Sequence, residues 1–494
     1  MVGRHEGNPI DTSSRTEAEV EEAREFDGRR GKAAQAAVCV LFGLAVFGIL
    51  ASAIFIRPEK RLLDFDQSFY LTIAHDLSRW GVFSNGIFDT VDSTVTRPPS
   101  GMFFVPVYPA LVYLAMKADP RFERAVVCNV QANQKQRPMD ECEFYARPIH
   151  LLHAGLLALA VVAIVLTAQA IFGGMAVPLL AGGLATAGLA VEADLFSFVM
   201  TESTGIALFS FAALAYVMAL KSRTWHWSFA AGLLLGLLVL ARPSFMVLAP
   251  VWVILLLAWR RYGPLRQSLA APALALIAAF IVVLSPWITR NAAIIGKATL
   301  TEEYGSATLI ERFAFNAMTG KEFALAFPYC LPAVGPALVN RLAGAGAMSR
   351  FEWDQPGSFF QVGRAQREAL VKTHGKLDPQ IGGLLREQLL NNGAGYVVST
   401  IPMGWCGLWV FQLWGLLLLP LFAAALVSAI RRAPLFLLYA GPALVIVGAH
   451  AAAANHYPRY NLMLVGPISV GSAWIICRVA ALVSSRRRRP EILT

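Results

Sequence analysis

Residues 148–172 read PIHLLHAGLLALAVVAIVLTAQAIF, with no Asp, Glu, Lys or Arg among them. At about 1.5 Å per residue a helix of this length covers the roughly 30 Å of a bilayer's hydrocarbon core. Backbone in that core must satisfy its own hydrogen bonds, and the run is far too long for a barrel strand, so it reads as a spanning helix. Comparable runs recur on both sides of it. Spans are expected at about 33–56, 148–172, 176–195, 202–221, 225–242, 243–257, 269–287, 404–430, 435–451 and 461–483. Composition agrees: 56% of the 494 residues are hydrophobic and 15% charged, against roughly 25% charged in soluble domains. The mean hydropathy is +0.55. The expected fold class is an all-α polytopic membrane protein.

The net charge of +10 would suit a nucleic-acid partner, but its distribution argues against one. Basic residues gather at Arg29, Arg30 and Lys32, at Lys221 and Arg223, at Arg260, Arg261 and Arg266, at Arg431 and Arg432, and at Arg486 to Arg489. These are short junctions at alternate span ends, as the positive-inside rule requires. Both termini are therefore expected in the cytoplasm, with 1–32 a disordered tail lacking a signal-peptide core and 484–494 a basic tail. The remaining divisions are an N-terminal transmembrane catalytic module at 33–289, including a first external loop at 57–147, an external region at 290–403, and C-terminal spans at 404–483. Cys128 and Cys142 share the first external loop, where an oxidising compartment allows a disulfide.

That first loop carries the densest chemistry. Residues 57–86 read RPEKRLLDFDQSFYLTIAHDLSRWGVFSNG, and 94–117 read TVTRPPSGMFFVPVYPALVYLAMK. Phe69, Tyr70, Ile73, Ala74 and Leu77 are close to helical spacing, and Gly81 supplies a stop. Two readings of Asp64 and Asp66 stand open: a cap on that helix, or a general base for a hydroxyl nucleophile. Met102 to Met116 is apolar but short and broken by Pro106 and Pro109, so a helix lying in the interface is expected there. Arg97 precedes two prolines and has two uses, snorkelling beside an apolar helix or holding phosphate with its planar fork. Arg242, flanked by apolar sequence, must sit at a span end or be paired. Glu202 opens a span, where the helix dipole alone favours a carboxylate. His150 and His153 are taken as an interfacial pair rather than metal ligands.

Taken with the topology, Asp64, Asp66, Arg97, Glu192, Asp194, Glu202, Arg242, Arg290, His456, Arg459 and Tyr460 collect on one side of the membrane. A pore or proton relay would scatter ionisable groups through the midplane instead. The chain lacks a P-loop, a nucleophile elbow, HExxH and a dinucleotide fingerprint.

These residues resemble a known pattern. Asp66 with Tyr70, then Ala74 and Gly81, is similar to the first-loop signature of GT-C superfold membrane glycosyltransferases, nearest the protein O-mannosyltransferase and aminoarabinose-transferase-like set. Arg97-Pro98-Pro99 with Tyr108-Pro109, Met200-Thr201-Glu202, Gly236 through Arg242-Pro243, Pro286-Trp287 with Arg290-Asn291, and Pro458-Arg459-Tyr460 follow in order. Two positions depart: Gln67 stands where many relatives have Glu, and Phe69 where some have arginine.

The resemblance implies a GT-C fold, a polyprenyl-phosphate-linked sugar as donor, and a glycolipid, polysaccharide or protein acceptor. It also implies in-line attack on the anomeric carbon, usually with inversion. Asp66 then resembles the catalytic base, with Arg97, Arg242 and Arg459 on the donor phosphate and Asp64, Tyr70, Glu202, Arg290 and Tyr460 in support. A divalent cation on Asp64, Asp66 and Glu202 is left open. The implied place is a bacterial inner membrane with the site on the extracytoplasmic face. A lipid-linked oligosaccharide flippase or polymerase is the alternative.

Overall fold

A computed structural model describes residues 36–487 apart from 59, 61, 63–65, 90, 136–140, 223, 263–269, 345, 348 and 455–456. The tail at 1–32, Asp64, Arg223, Arg266, His456 and Arg488 onward lie outside the described residues. The helices are α1 (Ala36–Phe55), α2 (Gln67–Trp80), α3 (Val107–Ala118), α4 (Pro120–Gln134), α5 (Arg147–Phe172), α6 (Ala176–Val191), α7 (Ala193–Phe196), α8 (Glu202–Lys221), α9 (His226–Val239), α10 (Leu248–Tyr262) and α11 (Ala270–Ile295). They continue as α12 (Tyr304–Phe313), α13 (Gly320–Tyr329), α14 (Gly335–Ala343), α15 (Phe359–His374), α16 (Asp378–Gly407), α17 (Gly415–Arg432), α18 (Pro434–Ala453) and α19 (Val465–Arg487). No strand occurs among the described residues.

Among the described residues, 8 helical stretches are long and apolar enough to cross a membrane: Ala36–Phe55, Arg147–Phe172, Glu202–Lys221, Pro243–Arg261, Ala270–Ile295, Gln412–Arg432, Pro434–Ala453 and Pro458–Ser485. The fold is that of a multi-pass helical membrane protein. The two other expected spans are shorter: α6 has 16 residues and α9 has 14, and at about 1.5 Å per residue neither reaches 30 Å. Proline sets the end of α9's run. The residue before a proline is pushed out of helical geometry, and Arg242 before Pro243 has φ −149° and ψ 105°. The span expected from 404 also starts later, because α16 continues to Gly407 and the crossing stretch begins at Gln412.

Close helix approach builds the bundle, since lipid offers no hydrophobic drive for helices to associate. A Cβ on Gly232 of α9 would lie 2.2 Å from the Leu276 carbonyl oxygen of α11, so only glycine fits there. Between α8 and α10, the ring of Tyr216 stacks on Trp252 at 4.7 Å. Arg260, one of the expected junction cations, is buried and donates to the Ala219 and Ser222 carbonyls at 2.9 and 2.6 Å. A cation is favoured at such a helix C-terminus by the dipole.

Two helical groups sit beside the bundle. In the first, α2, α3 and α4 share a core of Leu71, Tyr108, Val112, Phe122 and Val126, and Cys128 is bonded to Cys142. The second is built from α12 to α16, within the region expected to lack spans. A disulfide between Cys330 and Cys406 closes it; these cysteines are 76 residues apart, and no local signal pairs them. Buried Arg312 of α12 donates to the Ala451 carbonyl of α18 at 2.8 Å, to Asn316 Oδ1 at 2.9 Å, and to Ser399 and Thr400 of α16 at 2.9 and 3.0 Å. Burial pulls its pKa down to about 10, which leaves it charged at neutral pH.

Candidate active site

One cavity of about 360 Å³ lies where the start of α2, the start of α8, the turn after α9 and the end of α18 converge, with α12 across it. Its walls include Asp66, Tyr70, Glu202, Arg242, Tyr460, Phe103, Phe104, Tyr304, Thr308, Glu311 and His450.

Asp66 occupies the N-cap position of α2, yet its side chain makes no capping hydrogen bond. Its carboxylate instead accepts from Arg459 Nη2 at 2.9 Å. Gly81 ends α2 with φ 64°, the left-handed stop its sequence position suggested. Arg459 also reaches the Tyr460 hydroxyl at 3.3 Å, and its guanidinium lies 5.1 Å from the Tyr460 ring centre. It therefore joins the cavity wall through two residues that line it.

Glu202 stands in the first turn of α8, with Arg242 Nη1 3.8 Å from its Oε1. That distance is an ion pair without a hydrogen bond. The second carboxylate oxygen, Oε2, is buried with no hydrogen-bond partner. Arg242 also lies 5.8 Å from the Tyr460 ring centre, so Tyr460 is flanked by two guanidiniums. A third carboxylate, Glu311, accepts from Arg367 Nη1 at 2.7 Å, and burial raises its pKa despite that neighbour. Each cavity carboxylate thus has one guanidinium. Burial, with Tyr460 and Asp66 nearby, raises the Tyr304 phenol.

Asp66, Tyr70, Glu202, Arg242 and Tyr460 are brought together, with Arg459 behind them. Arg97 is exposed and is not on the cavity wall. Arg290 makes a structural contact, donating to the carbonyls of Gly101 at 2.6 Å and Phe83 at 3.1 Å. His153 Nδ1 donates to the Phe196 carbonyl at 2.9 Å, which leaves Nε2 to accept from the Tyr108 hydroxyl at 3.0 Å. His150 donates to the Ser197 carbonyl at 2.9 Å. Among the described residues no cluster of three or more His, Cys, Asp or Glu has the makings of a metal site. Tyr304, Thr308 and Glu311 were not legible as site residues. Their only signal is spacing, i, i+4 and i+7, which puts them on one face of α12.

No family model and no curated protein matches the chain. Among solved structures it is similar to the oligosaccharyltransferase of Archaeoglobus fulgidus tethered to an acceptor peptide, at 12% identity and a TM-score of 0.49, over 91% of this chain and 51% of that one. It is likewise similar to AglB from the same organism with an inhibitory peptide and a dolichol-phosphate, at 12% identity and a TM-score of 0.47 over 90% and 51%. For ArnT from Cupriavidus metallidurans bound to undecaprenyl phosphate the figures are 14%, a TM-score of 0.36, and 93% and 81%. The chain spans about half the length of the archaeal enzyme.

Proposed function

We propose that the chain is a membrane glycosyltransferase of the GT-C type. It moves a sugar from a polyprenyl-phosphate donor to an extracytoplasmic glycolipid or polysaccharide. One observation carries the reading: Asp66, Arg242 and the Arg459 behind Asp66 converge on a single cavity at the ends of the helices that line it. That is the constellation a lipid-phosphate leaving group and a hydroxyl nucleophile require.

In the reaction, Asp66 accepts the proton of the acceptor hydroxyl as its oxygen attacks the anomeric carbon. The bond from that carbon to the phosphate oxygen breaks in line, and polyprenyl phosphate leaves. Arg242 and Arg459 stabilise the charge that builds on the departing phosphate. Arg459 also orients Asp66 through their 2.9 Å contact. The disulfides Cys128–Cys142 and Cys330–Cys406 support a site on the oxidising, extracytoplasmic side.

The test is Asp66→Asn, assayed as sugar release from a polyprenyl-phosphate donor by purified, lipid-reconstituted protein. The expected loss is on the order of 10²-fold or more, with unchanged expression and thermal stability. Turnover at the wild-type rate would overturn the proposal.

A further inference from the structure

Not all of the cavity wall is charged. Phe103 and Phe104, from the segment before α3, line it together with Tyr304 of α12. The three rings are mutual neighbours, with centres 5.0 Å apart for Phe103 and Phe104, 5.5 Å for Phe103 and Tyr304, and 5.8 Å for Phe104 and Tyr304. Aromatic surface facing an aqueous cavity is unfavourable by roughly 25 cal/mol per Å² until something covers it. Phe104 is buried and packs on Phe69 and Tyr70 with centres 5.1 and 5.4 Å away, so the uncovered aromatic faces are those of half-buried Phe103 and exposed Tyr304.

The segment carrying the two phenylalanines is pinned from behind. Asn85 Oδ1 accepts from the backbone N–H of Met102 at 2.9 Å and of Phe103 at 3.0 Å. The Gly101 N–H donates to the Phe83 carbonyl at 2.7 Å, and Arg290 ties the Gly101 and Phe83 carbonyls together. A Cβ at Gly101 would meet Asn85 Oδ1 at 2.2 Å, so the sequence leaves room for this approach. Glu202 lines the same cavity, and its Oε2 is buried without a hydrogen-bond donor.

A saccharide ring matches both features. One of its faces presents C–H groups, which pack on aromatic surface, while its hydroxyls donate to carboxylate oxygens. An isoprenoid chain offers nothing to Glu202, and a phosphate would be repelled by it. We propose that Phe103, Phe104 and Tyr304 form the subsite for the sugar ring of the donor, with Glu202 Oε2 accepting one ring hydroxyl and Asn85 and Arg290 as positioning residues. The proposal rests on the glycosyltransferase reading above and names where its transferred group sits.

The experiment compares two kinds of probe on the full chain in lipid nanodiscs: bare undecaprenyl phosphate, and undecaprenyl phosphate bearing glucose, mannose or arabinose. Wild type should bind at least one sugar-bearing lipid more tightly than the bare one. Phe103→Leu, which keeps bulk, and Asn85→Ala should each cut that preference about tenfold, the scale of one lost aromatic contact. Affinity for the bare lipid should stay within about threefold. Equal weakening for both probes would overturn the proposal and assign the wall to the isoprenoid chain. Unchanged donor affinity with a raised KM for acceptor would overturn it in favour of an acceptor subsite. No sugar preference in wild type would also overturn it, whereas failure of wild type to bind even the bare lipid would sink the glycosyltransferase reading itself.

Discussion

Glu303 and Asp378 cap each other's helices. The Glu303 carboxylate accepts from the N–H groups of Leu377 at 2.6 Å and Asp378 at 3.1 Å, at the start of α16. Asp378 returns the contact, accepting from the Glu303 N–H at 3.0 Å and the Ser306 hydroxyl at 2.6 Å, at the start of α12. Glu303 does this with φ 69°, a left-handed conformation that costs a non-glycine residue about 1–2 kcal/mol. The strain lies one residue before Tyr304, so the pair fixes where α12 enters the cavity.

Asp378→Ala should release that end of α12. Losing such a cap costs about 1 kcal/mol, and hydrogen exchange of residues 304–313 should quicken roughly fivefold, as about 1 kcal/mol of local opening requires. Exchange measured by mass spectrometry checks this; protection equal to wild type would show that Arg312 alone holds α12.

Arg242 pairs with Glu202, and the proposed function gives it a second role at the donor phosphate; a double substitution separates the two. Arg242→Ala leaves the more than nine-tenths buried Glu202 without a counter-charge, and breaking a buried pair costs up to about 3–5 kcal/mol. With no hydrogen bond at 3.8 Å, the lower end applies. Arg242→Ala with Glu202→Gln should recover most of the thermal stability but none of the affinity for lipid phosphate. Recovery of both would deny Arg242 a place at the phosphate.

Asp89 introduces a pH dependence outside the spans. Burial lifts its pKa to about 6, against a hydrogen bond from the Asn85 N–H and with Asp76 adding to the rise. The folded state then holds a proton that the unfolded chain has lost, so stability falls as pH rises from about 4 to 6. Its half-buried position reduces the effect from the roughly 3 kcal/mol of a fully buried group to about 1 kcal/mol. Asp89→Asn should flatten that slope and raise the melting temperature at pH 7. Melting curves at pH 5 and pH 7 decide it.

Reducing Cys330–Cys406 reopens a loop of 76 residues, worth up to about 4 kcal/mol by chain entropy. Cys406→Ser should lower the temperature of thermal inactivation by several degrees and abolish its sensitivity to reductant. A retained sensitivity would point to Cys128–Cys142 instead.

The bundle was legible in the sequence because one physical requirement, apolar length, dictates it. Asp66, Glu202 and Arg242 were legible because charge beside apolar runs is conspicuous. Arg290 shows where that signal misleads. It was expected in support of the site, but it binds backbone carbonyls, which every residue supplies and no sequence advertises. Arg97 carried the same signature and lies in the open. Tyr304 was hidden for the opposite reason: its position depends on a strained residue and on a carboxylate in another helix. Of the two readings left open for Asp66, the cap is not made: its side chain makes no capping hydrogen bond and accepts from Arg459 instead.

The contact between Asp66 and Arg459 crosses 393 residues of chain. A ribosome adding about 5–20 residues per second delivers the arginine roughly 20–80 s after the carboxylate. Until α18 has inserted and the turn after it has formed, Asp66 faces an unfinished cleft with nothing to aim it. A molecule cut short before Arg459 would therefore insert its first helices with Asp66 lacking its guanidinium partner, and on the proposed function it would have no oriented base.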